Sequence, residues 1–126
     1  MFKRFLVVSL LSCLCYVNAF AEERFFCDAA KHTAIVSTTS SGEYLYRAWN
    51  KPKHITQKPD MEITGGTETV EGTGPCRYAA WSFAKGNVQY VVSTLGCTEA
   101  MPPAGATGSL AVYIDGELRK SWWCMN

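Results

Sequence analysis

The chain has 126 residues, 48% of them hydrophobic and 18% charged, with a formal net charge of +1. That length suits one domain. The near-neutral charge argues against a general nucleic-acid or membrane-surface binder, which would carry a basic excess.

Met1-Phe2-Lys3-Arg4 opens the chain with two positive charges, an apolar run extends from Phe5 to about Tyr16, and Val17-Asn18-Ala19-Phe20-Ala21 precedes Glu22-Glu23. Ala19-x-Ala21 is the small-residue pattern of a signal-peptidase site, so residues 1–21 read as a cleaved secretory signal. The run is shorter than the roughly 20 apolar residues of a spanning helix. Leu10-Leu11-Ser12-Cys13 resembles a lipobox, but the chain stays apolar through Val17, and lipidation at Cys13 would leave an odd number of cysteines. Cleavage after Ala21 removes Cys13 and Cys15 together and leaves Cys27, Cys76, Cys97 and Cys124. An even count in a small exported domain implies a disulfide framework and a periplasmic or secreted location. Without Lys3 and Arg4, residues 22–126 carry ten Lys/Arg against eleven Asp/Glu, a net charge of −1. No further stretch in that domain is apolar enough to span a membrane.

Strand signals dominate it. Arg24–Cys27 reads as a first strand. Residues 33–39 are rich in β-branched types, Ser40-Ser41-Gly42 signals a turn, and residues 43–49 alternate again, which together make a hairpin. Lys51–Lys58, with Lys51, Pro52, Lys53, His54 and Lys58, reads as an exposed basic loop. Asp60–Thr64 is a candidate short strand, and glycines at 65, 66, 72 and 74 leave Thr67–Glu71 as another at best. Gly86-Asn87 suits a type II′ turn. Centring a hairpin there sets Phe83 opposite Tyr90, Trp81 opposite Val92, Ala80 opposite Ser93 and Ala84 opposite Gln89, with one face bulky and apolar. Met101–Gly108 reads as a loop. Asp115-Gly116 is a type I′ signal joining Ser109–Ile114 to Glu117–Cys124, with Tyr113 facing Leu118 and Val112 facing Arg119. The fold expected is all-β: a small antiparallel barrel or sandwich of seven or eight strands. The barrel is preferred because closure removes exposed edges. The oligomeric state is left open, with a dimer through an exposed strand edge possible if the barrel is incomplete.

Four cysteines allow three connectivities. The Gly86-Asn87 register places Cys76 opposite Cys97 and favours that pair, leaving Cys27 to Cys124. A zinc site has no support, since the domain contains no C-x-x-C pair. No cofactor is implied.

His32 and His54 are the only histidines, and neither lies in an H-E-x-x-H or G-x-S-x-G context. Oxidised cysteines offer no thiolate nucleophile. Glu68 and Glu71 are the candidate carboxylates for glycoside hydrolysis, but their Gly/Thr-rich setting reads as solvated charge. The expectation is a binding protein, not an enzyme. Arg47–Lys58 is a basic segment suited to an acidic partner, although a solvated loop is the commoner meaning of such a run. Trp49 beside it reads as an inward strand residue. Of the adjacent Trp122 and Trp123, one should point inward and the other outward.

Tyr78-x-x-Trp81-x-Phe83-x-Lys85-Gly86 resembles the aromatic strand and lysine-glycine turn of the periplasmic and membrane-bound inhibitors of C-type lysozyme. That resemblance implies a compact β-barrel with a disulfide, whose loop residues enter the enzyme's cleft. Lys85 would offer its ammonium to the catalytic carboxylates. Where the family carries a Ser-Gly motif this chain has Thr73-Gly74-Pro75-Cys76, while Ser41-Gly42-Glu43-Tyr44 is similar to the motif but lies in another hairpin. The layout is also similar to periplasmic immunity proteins directed against cell-wall-degrading effectors. The residues set out for partner contact are therefore Lys85, Ser41, Tyr44, Lys53, His54, Glu68 and Glu71. The partner expected is a protein, a cell-wall hydrolase. An envelope-associated, adhesin-like binding module is the rival, and a small hydrolase is a more distant third.

Overall fold

Eight strands follow one another in chain order: β1 (Glu22–Asp28), β2 (His32–Thr38), β3 (Tyr44–Asn50), β4 (Met61–Glu71), β5 (Tyr78–Lys85), β6 (Val88–Thr94), β7 (Ala106–Ile114) and β8 (Glu117–Met125). In this computed structural model each strand pairs antiparallel with the next, and β8 returns to β1 to close a barrel. The structure describes residues 22–98 and 100–126, so the export segment 1–21, its cleavage site and Cys13 and Cys15 lie outside the described residues. The sandwich alternative is excluded by the closure.

Local turn chemistry sets the hairpins. Gly86 has φ +61°, and the pairs Phe83–Tyr90, Trp81–Val92, Ala80–Ser93 and Ala84–Gln89 fall in the expected register. That register runs on to the Cys76–Cys97 disulfide, and Cys27 bonds to Cys124. Two disulfides are the mark of a domain that folds in an oxidising environment outside the cytoplasm. No helix among the described residues is long and apolar enough to cross a membrane.

Four expectations need correction, three in the strands and one at Trp49. The two short strands expected at Asp60–Thr64 and Thr67–Glu71 are one strand, β4, which changes partners part-way. Its first half pairs with β3 and its second with β5, around a register shift at Gly65-Gly66 where Gly65 has φ +84°. The glycines bend the strand where a local reading sees a break. In the last hairpin Tyr113 does face Leu118, but Val112 faces Lys120, because Arg119 is the extra residue of a β-bulge. The end of the expected Met101–Gly108 loop belongs to β7, which starts at Ala106.

The strands define two ends. The β1–β2 and β3–β4 loops and the Gly86-Asn87 and Asp115-Gly116 turns form the upper end. The β2–β3, β4–β5 and β6–β7 loops form the lower end. Alternation sends Val36, Tyr46, Ile63, Phe83, Val92 and Leu110 into one lumen core. Its lower half is filled by rings. Phe25 stacks on Trp81 at 5.9 Å, and a Cβ at Gly66 or Gly108 would collide with the rings of Phe83 and Phe25 respectively. Under the upper rim a cavity of 270 Å³ remains. The buried donors Trp81 Nε1 and Arg47 Nε have no partner among the described residues, and neither residue lines that cavity.

The tryptophans divide as follows. Trp49 is buried, but on the outer face of β3 and not in the lumen as expected. Its Nε1–H donates to the Gln57 carbonyl (2.8 Å), and the Arg47 guanidinium lies 5.6 Å over its ring. Trp122 faces the lumen, and Trp123 lines depressions on the outside.

Candidate functional site

The seven residues set out from the sequence fall at opposite ends of the barrel. Ser41 is exposed in the β2–β3 loop at the lower end, where its hydroxyl lies 3.0 Å from that of Thr39. Tyr44 starts β3 beside it and donates its hydroxyl to Glu68 (2.5 Å). That hydrogen bond, with smaller contributions from desolvation and the carboxylate charge, raises the Tyr44 pKa above 10.0. Tyr78 donates in the same way to Glu71 (2.6 Å), and its pKa is raised chiefly by that bond. Glu68 shares a face of β4 with Trp81, and Glu71 shares the opposite face with Tyr78. The two carboxylates are thus held apart, each by a tyrosine. They do not form the facing pair that glycoside hydrolysis requires.

Lys53, His54 and Lys85 lie at the upper end. Lys53 belongs to the β3–β4 loop and is committed there, since its ammonium donates to Asp60 (3.2 Å). Asp60 also accepts the backbone N–H of Asn50 (2.7 Å). That backbone bond first, and Lys53 second, hold its carboxyl below the ordinary value of 3.8. His54 is turned into its own loop, with Nδ1 bonded to Thr56 (2.9 Å) and its backbone N–H to Gln57 Oε1 (2.9 Å). Lys51 pairs with Asp28 across to β1, and its N–H reaches the Lys31 carbonyl (3.0 Å). The basic segment is therefore a braced rim with much of its charge neutralised.

Lys85 differs. It is exposed at the end of β5, next to the tight turn, and no carboxylate among the described residues pairs with it. Its backbone is fixed by the β5–β6 ladder, with Lys85 opposite Val88. The neighbouring turn is tied to the next hairpin by Asn87, which donates to Asp115 Oδ1 (3.1 Å). The result is a free ammonium on a rigid support.

Sequence reasoning missed the rim of the lumen. His32 begins β2, and its Nδ1–H donates to Asn50 Oδ1 at the end of β3 (2.9 Å), while its ring meets Trp122 edge-on at 4.8 Å. The one signal available was alternation: Tyr46, Ala48 and Asn50 share a face by period two, and pairing with β2 brings His32 opposite Asn50. Among the described residues no three His, Cys, Asp or Glu side chains gather as metal ligands. No family model matches this chain, and no curated protein or solved structure matches it.

Proposed function

We propose that residues 22–126 form an exported, non-catalytic domain of the periplasm that inhibits a peptidoglycan hydrolase by seating its upper end in the enzyme's cleft. The observation that carries this reading is Lys85: an exposed, unpaired ammonium at the end of a strand in a closed, disulfide-stapled barrel. A cleft that cleaves glycosidic bonds carries carboxylates. A lysine presented without an internal ion pair breaks no internal contact when it meets them, so the costs are its hydration and side-chain freedom, and a rigid support reduces the entropy lost on binding. The likeness of Tyr78–Gly86 to the lysozyme-inhibitor strand points the same way.

Ser41 does not join this face. It lies in the β2–β3 loop, at the end of the barrel opposite the Gly86-Asn87 turn. Tyr44 and Glu68 are already engaged with each other at that lower end, and Glu71, on the opposite face of β4, is engaged by Tyr78. The contact set for the cleft is Lys85, with Lys53 and His54 on the neighbouring rim. Both a lysozyme inhibitor and an immunity protein against a delivered effector use this mechanism, so the enzyme panel must contain both kinds of target.

The test is lysis of purified peptidoglycan by C-type lysozymes and effector muramidases in the presence of the oxidised domain. At least one enzyme is slowed stoichiometrically. Lys85→Ala weakens that inhibition at least about 30-fold, the scale of a hot-spot truncation. Lys53→Ala, which removes a surface ion pair, changes it by less than about fivefold. A folded Lys85→Ala domain that inhibits as well as the parent removes Lys85 from the site. If no hydrolase is slowed or held, the inhibitor reading fails and the adhesin-like module takes its place.

A further inference from the structure

We infer that the upper half of the barrel lumen is a binding site for a small, neutral aromatic molecule of one or two rings. An eight-stranded barrel is just wide enough to be filled by side chains or to hold one small ligand. This lumen does each in a different half. Below, glycines at 66 and 108 let Phe83 and Phe25 close the floor. Above, small Ala48 and Val112 face inward and leave 270 Å³ empty beneath the rim. At about 30 Å³ per water molecule in the liquid, that space equals roughly nine waters, the scale of one or two aromatic rings. A long acyl chain does not fit, and a fused bicycle does.

The walls specify aromatic character. Tyr46 and Tyr90 stack at 5.4 Å with 22° between their planes, and both line the cavity together with Trp122. A third ring meets them offset or edge-on, the geometries that aromatic groups favour. The rim specifies neutrality. Asp60 lines the cavity, but its carboxylate is already met by Lys53 and the Asn50 N–H. No other Asp, Glu, Lys or Arg lines the cavity, so a charged guest would find no uncommitted counter-charge on its walls. His32 supplies orientation: with Nδ1–H donating to Asn50, the ring in its neutral form offers Nε2 as an acceptor for one guest N–H or O–H. The rim is braced by loop-to-loop bonds, so the site is formed before a ligand arrives. It is separate from the Lys85 turn and stands whether or not a hydrolase binds.

Indole has the required size, rings and single donor, and it is the probe. Titrated into the oxidised, isotope-labelled domain, it should bind saturably and give intermolecular NOEs to Tyr46, Tyr90 and Val112. Ala48→Phe, which fills the space, should weaken binding at least about tenfold. His32→Ala, at the rim and compatible with folding, should weaken it about threefold to tenfold, the scale of one lost hydrogen bond. Decanoate and glucose should produce no lumen shifts. NOEs confined to the outer ring of Trp123, linear shifts without saturation, or tighter binding of decanoate than of indole would overturn the assignment.

Discussion

Asp60 carries the clearest pH signature on the rim. The Asn50 N–H and Lys53 hold its carboxyl below 3.8, so the folded state binds this proton less readily than the unfolded chain. Its contribution to stability is therefore complete above pH 3.8 and fades as pH falls through the lowered folded value. Thermal melts should show the wild type losing stability more steeply than Asp60→Asn between about pH 5 and 2. Equal slopes would mean that the rim does not depend on this carboxylate. At this scale the sequence was legible where the determinants were local. Lys85 beside a glycine turn is such a case. It was not legible where a partner comes from another strand. Glu68 and Glu71 read as solvated charges, and only the fold brings Tyr44, 24 residues away, to Glu68. The same holds for His32 and Asn50, whose meeting depends on the β2–β3 register.

Hairpins with distinctive turns were legible because turn chemistry is a local property. Gly86 accepts positive φ, and Asp115-Gly116 adopts positive φ at both positions (51° and 79°), as a type I′ turn requires. β4 was not legible, since a Gly-Gly pair looks like a terminus until neighbours on both sides hold the strand through it. The Arg119 bulge has no turn residue to announce it. The β5–β6 turn gives a direct prediction. Gly86→Ala meets no neighbouring atom, so its cost is backbone strain alone, about 1–2 kcal/mol. Urea unfolding should show that loss with an unchanged m-value. Inhibition should weaken as well, because the turn beside Lys85 shifts. A variant as stable as the parent would mean that the turn relaxes to another type without penalty.

The closed barrel depends on a seam. β1 and β8 share one register pair, Asp28 with Met125, next to the Cys27–Cys124 disulfide. That bond closes a separation of 97 residues, against 21 for Cys76–Cys97. Chain entropy assigns about 4–5 kcal/mol to the first and about 3 kcal/mol to the second. Replacing Cys27 and Cys124 by Ala should therefore destabilise more in urea than replacing Cys76 and Cys97, and should open β1 to hydrogen exchange first. The reverse order would show that strand pairing holds the seam without the disulfide. The pairing itself was legible in the sequence because one turn set the register of two cysteines. Which end of the barrel meets a partner was not, since the residues resembling known inhibitors came from both ends. Amide hydrogen exchange of the oxidised domain, free and bound to the hydrolase it slows, tests this most directly. Protection should concentrate on Lys85–Asn87 and the β3–β4 loop, with the Ser41 loop and the Glu71 end of β4 unchanged. Protection of the lower end with an unaltered Lys85 turn would contradict the account.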